Sequence, residues 1–334
     1  MVTMSDVARA AGVSPMTVSN VINGRPNVSE ATRARVREVI RSLDYQVNLT
    51  ARHLRAGRTD SIALIAPNFN GYFGELGDGI AKLLQRSGRH LVMESTLGRV
   101  DAELEAFSLA RLRMHDGAFI SVSGLSAEQV AKLQCPVPVV LLGERQMPGA
   151  LDHLQLDNIG GARLATSHLI AGGARRIVIV GGSLEPERDM PFTRQEGWRL
   201  ALEEAGITPD PELVLPLEHY SPDEAAATLG RLLRSDLPGG IDGVFAVTDT
   251  VALGALAALH AEGLAVPEDV QVCGFDNIEA AEFSHPGGLS TVGPEPGELP
   301  RVALELLDRR IADGGVESRH LTVPMRLYLR ATTR

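Results

Sequence analysis

Residues 4–24 of the chain read MSDVARAAGVSPMTVSNVING. Thr3 stands just before this stretch, with Asp6 three positions later, which is the spacing of a capping box at a helix N-terminus. Gly12 breaks the first predicted helix. Pro15 is suited to the first position of a second helix, because its missing N–H costs nothing there. Two short helices joined by so tight a turn predict a helix-turn-helix.

A third helix is predicted to brace the first two. The second helix runs from its cap, Ser14, to about Asn23, and Ser29 caps the third. The apolar residues of the third helix fall on one face. They are Val36, Val39, Ile40 and Leu43. We therefore predict that residues 1–47 form an all-α helix-turn-helix domain, which we call the head.

Charge is distributed unevenly along the chain. The 334 residues carry a net charge of −10, yet residues 1–60 contain nine Arg against five acidic residues. A basic head on an acidic remainder indicates that the head meets a polyanion. A solvated basic face would give the same pattern, so charge alone leaves both interpretations open.

The second helix of the head has the properties of a recognition helix, which contacts DNA base edges from its N-terminal part. The residues predicted to contact base edges are Pro15, Met16 and Asn20. For Met16, packing inside the head is the alternative. The other DNA contacts predicted here are Ser14, Thr17, Ser19 and Asn23, the last three with polar groups suited to phosphate oxygens.

Residues 48–60 form a separate, mostly polar segment. A helix this short is marginal in water on its own. We therefore predict a hinge linker that becomes helical only in a complex. Leu54 is an apolar residue in this segment, and docking against the rest of the chain is one interpretation of it.

From Ser61 onward, strand and helix candidates alternate. The strand candidates are 62–66, 90–93, 118–121, 137–142, 177–180, 213–215, 244–247, 270–274 and a final strand over 321–329. Short apolar runs between amphipathic helices predict parallel sheets with helices on both faces. This many units would overfill one sheet, so we predict an α/β core of two doubly wound parallel-sheet subdomains. The crevice at the strand carboxyl ends is then the expected ligand site.

We place the core at residues 61–334, where it would bind an effector and dimerise. The predicted N-subdomain covers about 61–158 and 292–320. The predicted C-subdomain covers about 159–291 and 321–334. No heptad tail follows the last strand, so we expect a dimer rather than a tail-assembled tetramer.

Polar residues at predicted strand and helix ends of the core are candidate ligand contacts. Arg194 opens a predicted helix in TRQEGW (193–198), and Asp276 ends a predicted strand in VCGFDN (272–277). Guanidinium and carboxylate together supply donors and acceptors for a polyol. A structural Arg–Asp pair is the alternative. Thr248 also ends a strand, while Asp249 is interpreted as a helix cap.

Signatures of other protein classes are absent from the sequence. It contains no GxSxG elbow, no P-loop and no HExxH, so no enzyme activity and no cofactor are predicted. The histidines lack metal-ligand spacing. Cys135 and Cys273 lie at or in apolar segments, which fits buried thiols in a reducing compartment. No signal peptide or membrane-spanning stretch is evident, and we expect a cytoplasmic protein.

Residues 4–24 closely resemble the N-terminal helix-turn-helix of the lactose-repressor (LacI/GalR) family. The resemblance continues through VSEATR (28–33), LDY (43–45) and the linker residues 51–54, and then nearly to the C-terminus. It implies a core like that of periplasmic sugar-binding proteins. It also implies a ligand-responsive transcription regulator, expected to be a repressor. Its homodimer would bind a near-palindromic operator, and an effector would act allosterically. The rival function is a solute-binding protein for sugar uptake, which shares the core but has no use for a DNA-binding head.

The resemblance also implies roles for individual residues. Leu54 would be the leucine that two partner chains insert into the DNA minor groove. Its neighbours Asn48, Ala51 and Arg55 would line that groove or its phosphates. Arg194 and Asp276 would bind the hydroxyls of an effector, expected to be a sugar or sugar derivative. The aromatic residues expected at the effector are Tyr220, which would stack on a ligand ring, and Tyr72 and Phe73, which would line the other side of the cleft.

Overall fold

The computed structural model describes residues 2–22, 24–45, 58–133, 135–143, 149–183, 189–236 and 238–334. The chain divides into two compact units, residues 1–59 and 60–334. The helices are α1 Met4–Ala11, α2 Pro15–Ile22, α3 Glu30–Ser42, α4 Tyr72–Gln85, α5 Val100–Ala106, α6 Leu109–Leu112, α7 Ala127–Ala131, α8 Asn158–Ala171, α9 Met190–Glu204, α10 Pro222–Leu233, α11 Asp249–Ala261, α12 Glu279–Phe283 and α13 Glu298–Ala312. The strands are β1 Ser61–Ala66, β2 His90–Ser95, β3 Gly117–Ser121, β4 Val139–Leu142, β5 Asp152–Leu156, β6 Ile177–Gly182, β7 Val214–Pro216, β8 Gly243–Ala246, β9 Gln271–Phe275, β10 Ser290–Gly293, β11 His320–Val323 and β12 Arg326–Tyr328.

The first unit contains the predicted head, with α1, α2 and α3 packed on one another. Both halves of the capping box are present, because the backbone N–H of Asp6 donates to Thr3 Oγ1 at 3.3 Å and that of Thr3 donates to Asp6 Oδ2 at 3.0 Å. Gly12 ends α1 in the left-handed conformation, at φ +62°. The buried core of the head consists of Val7, Ala8, Ala11, Val18, Val21, Val36 and Tyr45.

The second unit contains two six-stranded sheets. The first has the strand order β11-β5-β4-β3-β1-β2, and its strand pairs are parallel. The second has the order β12-β10-β9-β8-β6-β7, in which only β12 runs antiparallel to its neighbour. Strands such as β1, β6 and β9 are buried at every position, as expected when helices cover both faces of a sheet. The predicted fold class is confirmed.

The final predicted strand, 321–329, is wrong as a single element. It is two short strands, β11 and β12, which belong to different sheets. Pro324 lies between them and has no N–H for a sheet hydrogen bond, so the ladder is interrupted where the chain crosses over. The predicted subdomain boundaries shift accordingly. Residues 292–293 belong to the second sheet through β10, and residues 321–323 belong to the first sheet through β11.

Two further details concern helices. The helix that carries Arg194 begins four residues earlier than predicted, at Met190, because Asp189 caps it and Pro191 fits its first turn. In the described part of the chain, no helix combines the length and the apolar character needed to cross a bilayer.

Candidate functional site

The helix α2 divides its side chains between the core of the head and its surface. Val18 and Val21 are buried, whereas Met16 is 69% exposed. Packing inside the head, the alternative interpretation of Met16, is therefore wrong. Ser14 and Pro15 are also exposed, and Thr17, Ser19 and Asn20 are half-buried.

Ser14 fixes the start of this helix. Its Oγ accepts a hydrogen bond from the backbone N–H of Thr17 at 3.1 Å and lies 3.0 Å from the Thr17 hydroxyl. This bond satisfies one of the free N–H groups of the first turn and stabilises the end of α2 from which Met16 projects. The predicted contacts that lie outside the described residues are Asn23, Asn48, Ala51, Leu54 and Arg55.

In the second unit, Arg194 is held among the carboxyl ends of several strands. Its Nη1 donates to the backbone carbonyl of Val247, which follows β8, and lies 3.3 Å from Oδ1 of Asp276, which follows β9. Its Nε donates to Asn158 Oδ1 at 2.7 Å. The guanidinium carbon lies 3.6 Å from the centre of the Phe275 ring, a cation–π contact. The structure thus brings together Arg194 and Asp276, as predicted, and adds Asn158.

Asp276 is a buried carboxylate in an uncommon backbone conformation. Burial raises its pKa to about 6, although the nearby Arg194 guanidinium opposes the rise and Glu75 adds to it. Asp276 and Asn277 have φ values of +109° and +56°. Asp and Asn adopt positive φ more readily than most residues, so this turn suits both of them.

Tyr220 lies beside Val247 and Gly181, at the carboxyl ends of β7, β8 and β6. A Cβ added at Gly181 would be 2.3 Å from Val247 Cγ2 and 3.4 Å from the Tyr220 ring. Gly181 has φ +93°, which glycine tolerates without strain. The glycine therefore permits the close approach of Val247 and Tyr220. Burial raises the pKa of Tyr220 to about 12, so its hydroxyl remains protonated at neutral pH.

The interpretation of Asp249 as a helix cap is wrong, because the preceding residue has that role. Thr248 Oγ1 accepts from the backbone N–H of Val251 at 3.1 Å and caps α11. Asp249 is fully buried. Its carboxylate accepts from the Thr291 hydroxyl at 2.5 Å and from the backbone N–H of Ile278 at 2.9 Å. Burial, reinforced by the Asp276 charge, raises the pKa of Asp249 well above its ordinary value.

Tyr72 and Phe73 form the first turn of α4, with their rings edge to face at a centroid distance of 5.0 Å. Tyr72 and Asp276 line a common cavity of about 490 Å³ between α4 and the segment that follows β9. A neighbouring cavity of about 780 Å³ is lined by Glu75, Thr250 and Ile278, among others. Phe73, Arg194, Tyr220 and Thr248 do not line either cavity. Of the six predicted effector contacts, Tyr72 and Asp276 thus line one cavity together.

Asn158, Gly181 and the Val247 carbonyl are site components that the sequence prediction missed. Asn158 is the first residue of α8, and a polar residue at a helix start is usually explained as helix capping, so it gave no separate signal. Among the described residues, no group of three or more His, Cys, Asp or Glu side chains is placed to hold a metal ion.

Comparison with known proteins identifies both units. Residues 3–48 match the bacterial regulatory proteins of the lacI family, and residues 166–333 match a periplasmic binding protein-like domain. The chain belongs to the lacI family of bacterial regulatory proteins. The resemblance predicted from residues 4–24 is thereby confirmed.

Relatives of this lacI-family protein match along its whole length. It is 30% identical to the HTH-type transcriptional repressor PurR of Vibrio atlanticus (strain LGP32), over 100% of this chain and 99% of that protein. It is 31% identical to the catabolite control protein A of Priestia megaterium, with the same coverage. Among solved structures, the transcriptional regulator CelR–cellobiose complex is 30% identical, with a TM-score of 0.71 over 99% of this chain and 100% of that one. This lacI-family protein is thus a DNA-binding transcription regulator.

Proposed function

We propose that this protein is a ligand-responsive repressor whose homodimer binds a near-palindromic operator in the cytoplasm. Each head would read one half-site, because the two-fold symmetry of a dimer is mirrored in its DNA site. Its effector would be a small hydroxylated molecule, either a sugar or a polyol. The effector would contact Arg194 and Asp276, with Thr248 at the edge of the site. The aromatic residues that would enclose it are Tyr72, Phe73 and Tyr220.

The buried pair of Arg194 and Asp276 is the observation that carries this proposal. Two charges removed from water cost free energy that their attraction offsets only in part, so such a pair is not explained by stability alone. An aspartate accepts hydrogen bonds from hydroxyls, and an arginine donates to their oxygens. A purely apolar effector would satisfy neither group.

Two further observations agree with a sugar or polyol. The Tyr220 ring lies at the same edge of the second sheet and offers an apolar face for a sugar ring. The CelR neighbour is in complex with cellobiose. A solute-binding protein for uptake, the rival function, would need the core. That function does not explain an all-α head whose predicted recognition helix is exposed.

A two-stage experiment tests the proposal. A thermal-shift screen of the full chain against neutral sugars, polyols, sugar acids and nucleobases identifies the compounds that bind. Each binder is then titrated into a complex of the protein with operator DNA selected from a random library. We expect a sugar or polyol to change operator affinity by at least about tenfold, which corresponds to about 1.4 kcal/mol of coupling.

The outcomes separate the parts of the proposal. Selection of no preferred DNA sequence would contradict the regulator function and favour the solute-binding alternative. A response to nucleobases alone would leave the regulator in place and contradict the sugar or polyol class. Binding that leaves operator affinity unchanged would contradict ligand control.

A further inference from the structure

Asn158 lies at the point where the chain first passes between the two sheets. Strand β5 of the first sheet ends at Leu156, and α8, which packs on the second sheet, begins at Asn158. The Asn158 side chain is buried, with the residue only 5% exposed. It belongs to the crossover, and yet its amide is directed towards the candidate effector site.

The amide of Asn158 both accepts and donates a hydrogen bond. Its Oδ1 accepts from Arg194 Nε at 2.7 Å, and its Nδ2 donates to the backbone carbonyl of Leu156 at 3.2 Å. Helix capping does not account for the side chain, because the preceding residue, Asp157, caps α8 by accepting from Gly160 N at 2.9 Å. The amide therefore connects the Arg194 guanidinium to the end of β5.

The hydrogen bonds to Arg194 fix the orientation of its planar head. Nε is bonded to Asn158, and Nη1 is bonded to the Val247 carbonyl and paired with Asp276. These contacts come from three separate segments, so the guanidinium plane cannot rotate without breaking at least one of them. A guanidinium recognises a ligand through the fixed directions of its N–H groups, so this orientation determines what Arg194 can bind.

We propose that Asn158 is a positioning residue of the effector site, which fixes the Arg194 guanidinium and ties it to the first crossover between the sheets. The inference rests on the proposed function. An effector that displaces Arg194 would then pull on the Leu156–Asn158 segment, which is one of the connections between the two halves of the second unit. Asn158 would thus affect both the affinity of the effector and the coupling between effector binding and operator binding.

Two substitutions separate the hydrogen bonds from the shape of the side chain. Asn158→Leu retains the branched shape and removes both bonding groups. Asn158→Asp retains the acceptor for Arg194 and removes the donor to Leu156, and a carboxylate is well tolerated in the first turn of a helix. Gln271→Leu is the matched control. Gln271 is also buried and also joins chain segments by its amide, to Leu169 O, Gly172 O and Arg334 N, far along β9 from Asp276.

The first readout needs no effector. Hydrogen exchange of the Arg194 Nε–H is followed by NMR in the full chain labelled with ¹⁵N-arginine, and the signal is assigned from its loss in Arg194→Lys. We expect exchange at least about tenfold faster in Asn158→Leu, since a hydrogen bond to a charged group contributes about 1.5–3 kcal/mol. Exchange should stay near the wild-type rate in Asn158→Asp and in Gln271→Leu. Wild-type exchange in Asn158→Leu would overturn the proposal.

The second readout uses cellobiose, D-glucose, D-galactose and myo-inositol as probes of operator release. For a probe that acts on the wild type, we expect its midpoint concentration to rise at least about tenfold in Asn158→Leu, measured relative to the operator affinity of the same variant without the probe. An unchanged midpoint would overturn the proposal. If no probe acts on the wild type, the proposed effector class fails, and the exchange measurement still decides the role of Asn158.

Discussion

Arg194 and Asp276 form a buried ion pair whose Nη1 and Oδ1 atoms are 3.3 Å apart, with side chains only 4% and 8% exposed. The two residues are on different elements, α9 and the turn after β9, and the Phe275 ring lies directly against the guanidinium. The pair can serve either as an effector site or as a structural bridge between these elements. The two roles make different predictions for operator binding and for the effector response.

We predict that Arg194→Ala and Asp276→Ala each abolish the effect of the effector on operator binding. Operator affinity itself should stay within about twofold of wild type, because the head is a separate compact unit. Each substitution should also destabilise the second unit by about 3–5 kcal/mol, since it leaves a buried charge without its partner. Titration of the effector into operator complexes measures the first effect, and urea unfolding measures the second.

Arg163→Ala is the control for these variants. Arg163 pairs with Glu204 at 2.8 Å, but both side chains are about half exposed, so its removal should have little effect on stability or response. A wild-type response in both Arg194→Ala and Asp276→Ala would assign the pair a structural role only.

The raised pKa of Asp276 predicts how stability depends on pH. In the folded protein its pKa is about 6, against an ordinary value of 3.8, so the folded state binds this proton more tightly than the unfolded state. The stability due to this proton is fully present below pH 3.8 and is lost as the pH rises through about 6.

Relative to Asp276→Asn, the wild type should therefore lose stability between pH 4.5 and 6.5, by at most about 1.4 kcal/mol per pH unit, and then level off. Urea unfolding of both proteins across this range checks the slope. Glu75 and Arg194 influence the pKa of Asp276, and the Asp276 charge influences the pKa of Asp249. All three residues are present in both proteins, so the comparison isolates the Asp276 carboxyl group. A difference in stability that stays constant with pH would contradict the prediction.

Gly181 tests the packing of Tyr220 against Val247. An added methyl group would overlap Val247 Cγ2, so we predict that Gly181→Ala displaces Val247 and Tyr220 and weakens the effector response at least about tenfold. Gly206→Ala is a matched control, because Gly206 also has positive φ, +70°, and no atom lies within 4 Å of the added Cβ. In both variants, alanine at a positive φ costs about 1–3 kcal/mol of backbone strain. Only in Gly181→Ala does the added methyl group also overlap Val247. Equal responses in the two variants would show that this packing does not matter for the effector.

The helices of the head could be predicted closely because their signals are local. The Thr3 and Asp6 capping box, the left-handed Gly12 and the Ser14–Pro15 start of α2 each depend on residues no more than five positions apart. Buried strands such as β1, β6 and β9 could also be predicted as short apolar runs, whereas β5 and β10 were missed because polar residues interrupt their apolar pattern. The crossover at Pro324 was missed because a continuous apolar pattern does not show which sheet a strand joins.

The site could be predicted only in part for a similar reason. Arg194 and Asp276 were recognisable as polar residues at the ends of elements. Asn158 and Gly181 act through contacts with Arg194 and Val247, which are distant in the sequence and become neighbours only through the sheet order. Asp249 was assigned to capping because it opens a helix, but Thr248 has the cap and Asp249 is directed inwards to Thr291.

The role of Leu54 remains a prediction from the sequence. A leucine inserted into a kinked minor groove contributes only once the DNA is bent, so Leu54→Ala should weaken operator binding much more than non-specific binding. Competition assays with operator and random-sequence DNA at one salt concentration measure the ratio. Equal losses on both DNAs would indicate that Leu54 does not act as a wedge.

The recognition helix gives the final prediction. Met16 is exposed and projects from the start of α2, and Asn20 lies one turn further along the same helix, since residues i and i+4 share a face. An asparagine amide can make two hydrogen bonds with an adenine edge, and an apolar side chain can contact a thymine methyl group, each contact worth about 1–3 kcal/mol of discrimination. We predict that Asn20→Ala and Met16→Ala each relax base preference at one symmetric position per half-site.

Selection of binding sites from a random library, carried out for wild type and both variants, measures this preference position by position. Glu38→Ala is the control, because Glu38 is exposed on α3 of the same head and should leave the selected sequence unchanged. Relaxation at the same base pair in both variants would place the two side chains on neighbouring atoms of that pair. Selected sites identical to wild type in both variants would mean that α2 does not read base edges, and that the exposed Met16 serves another surface.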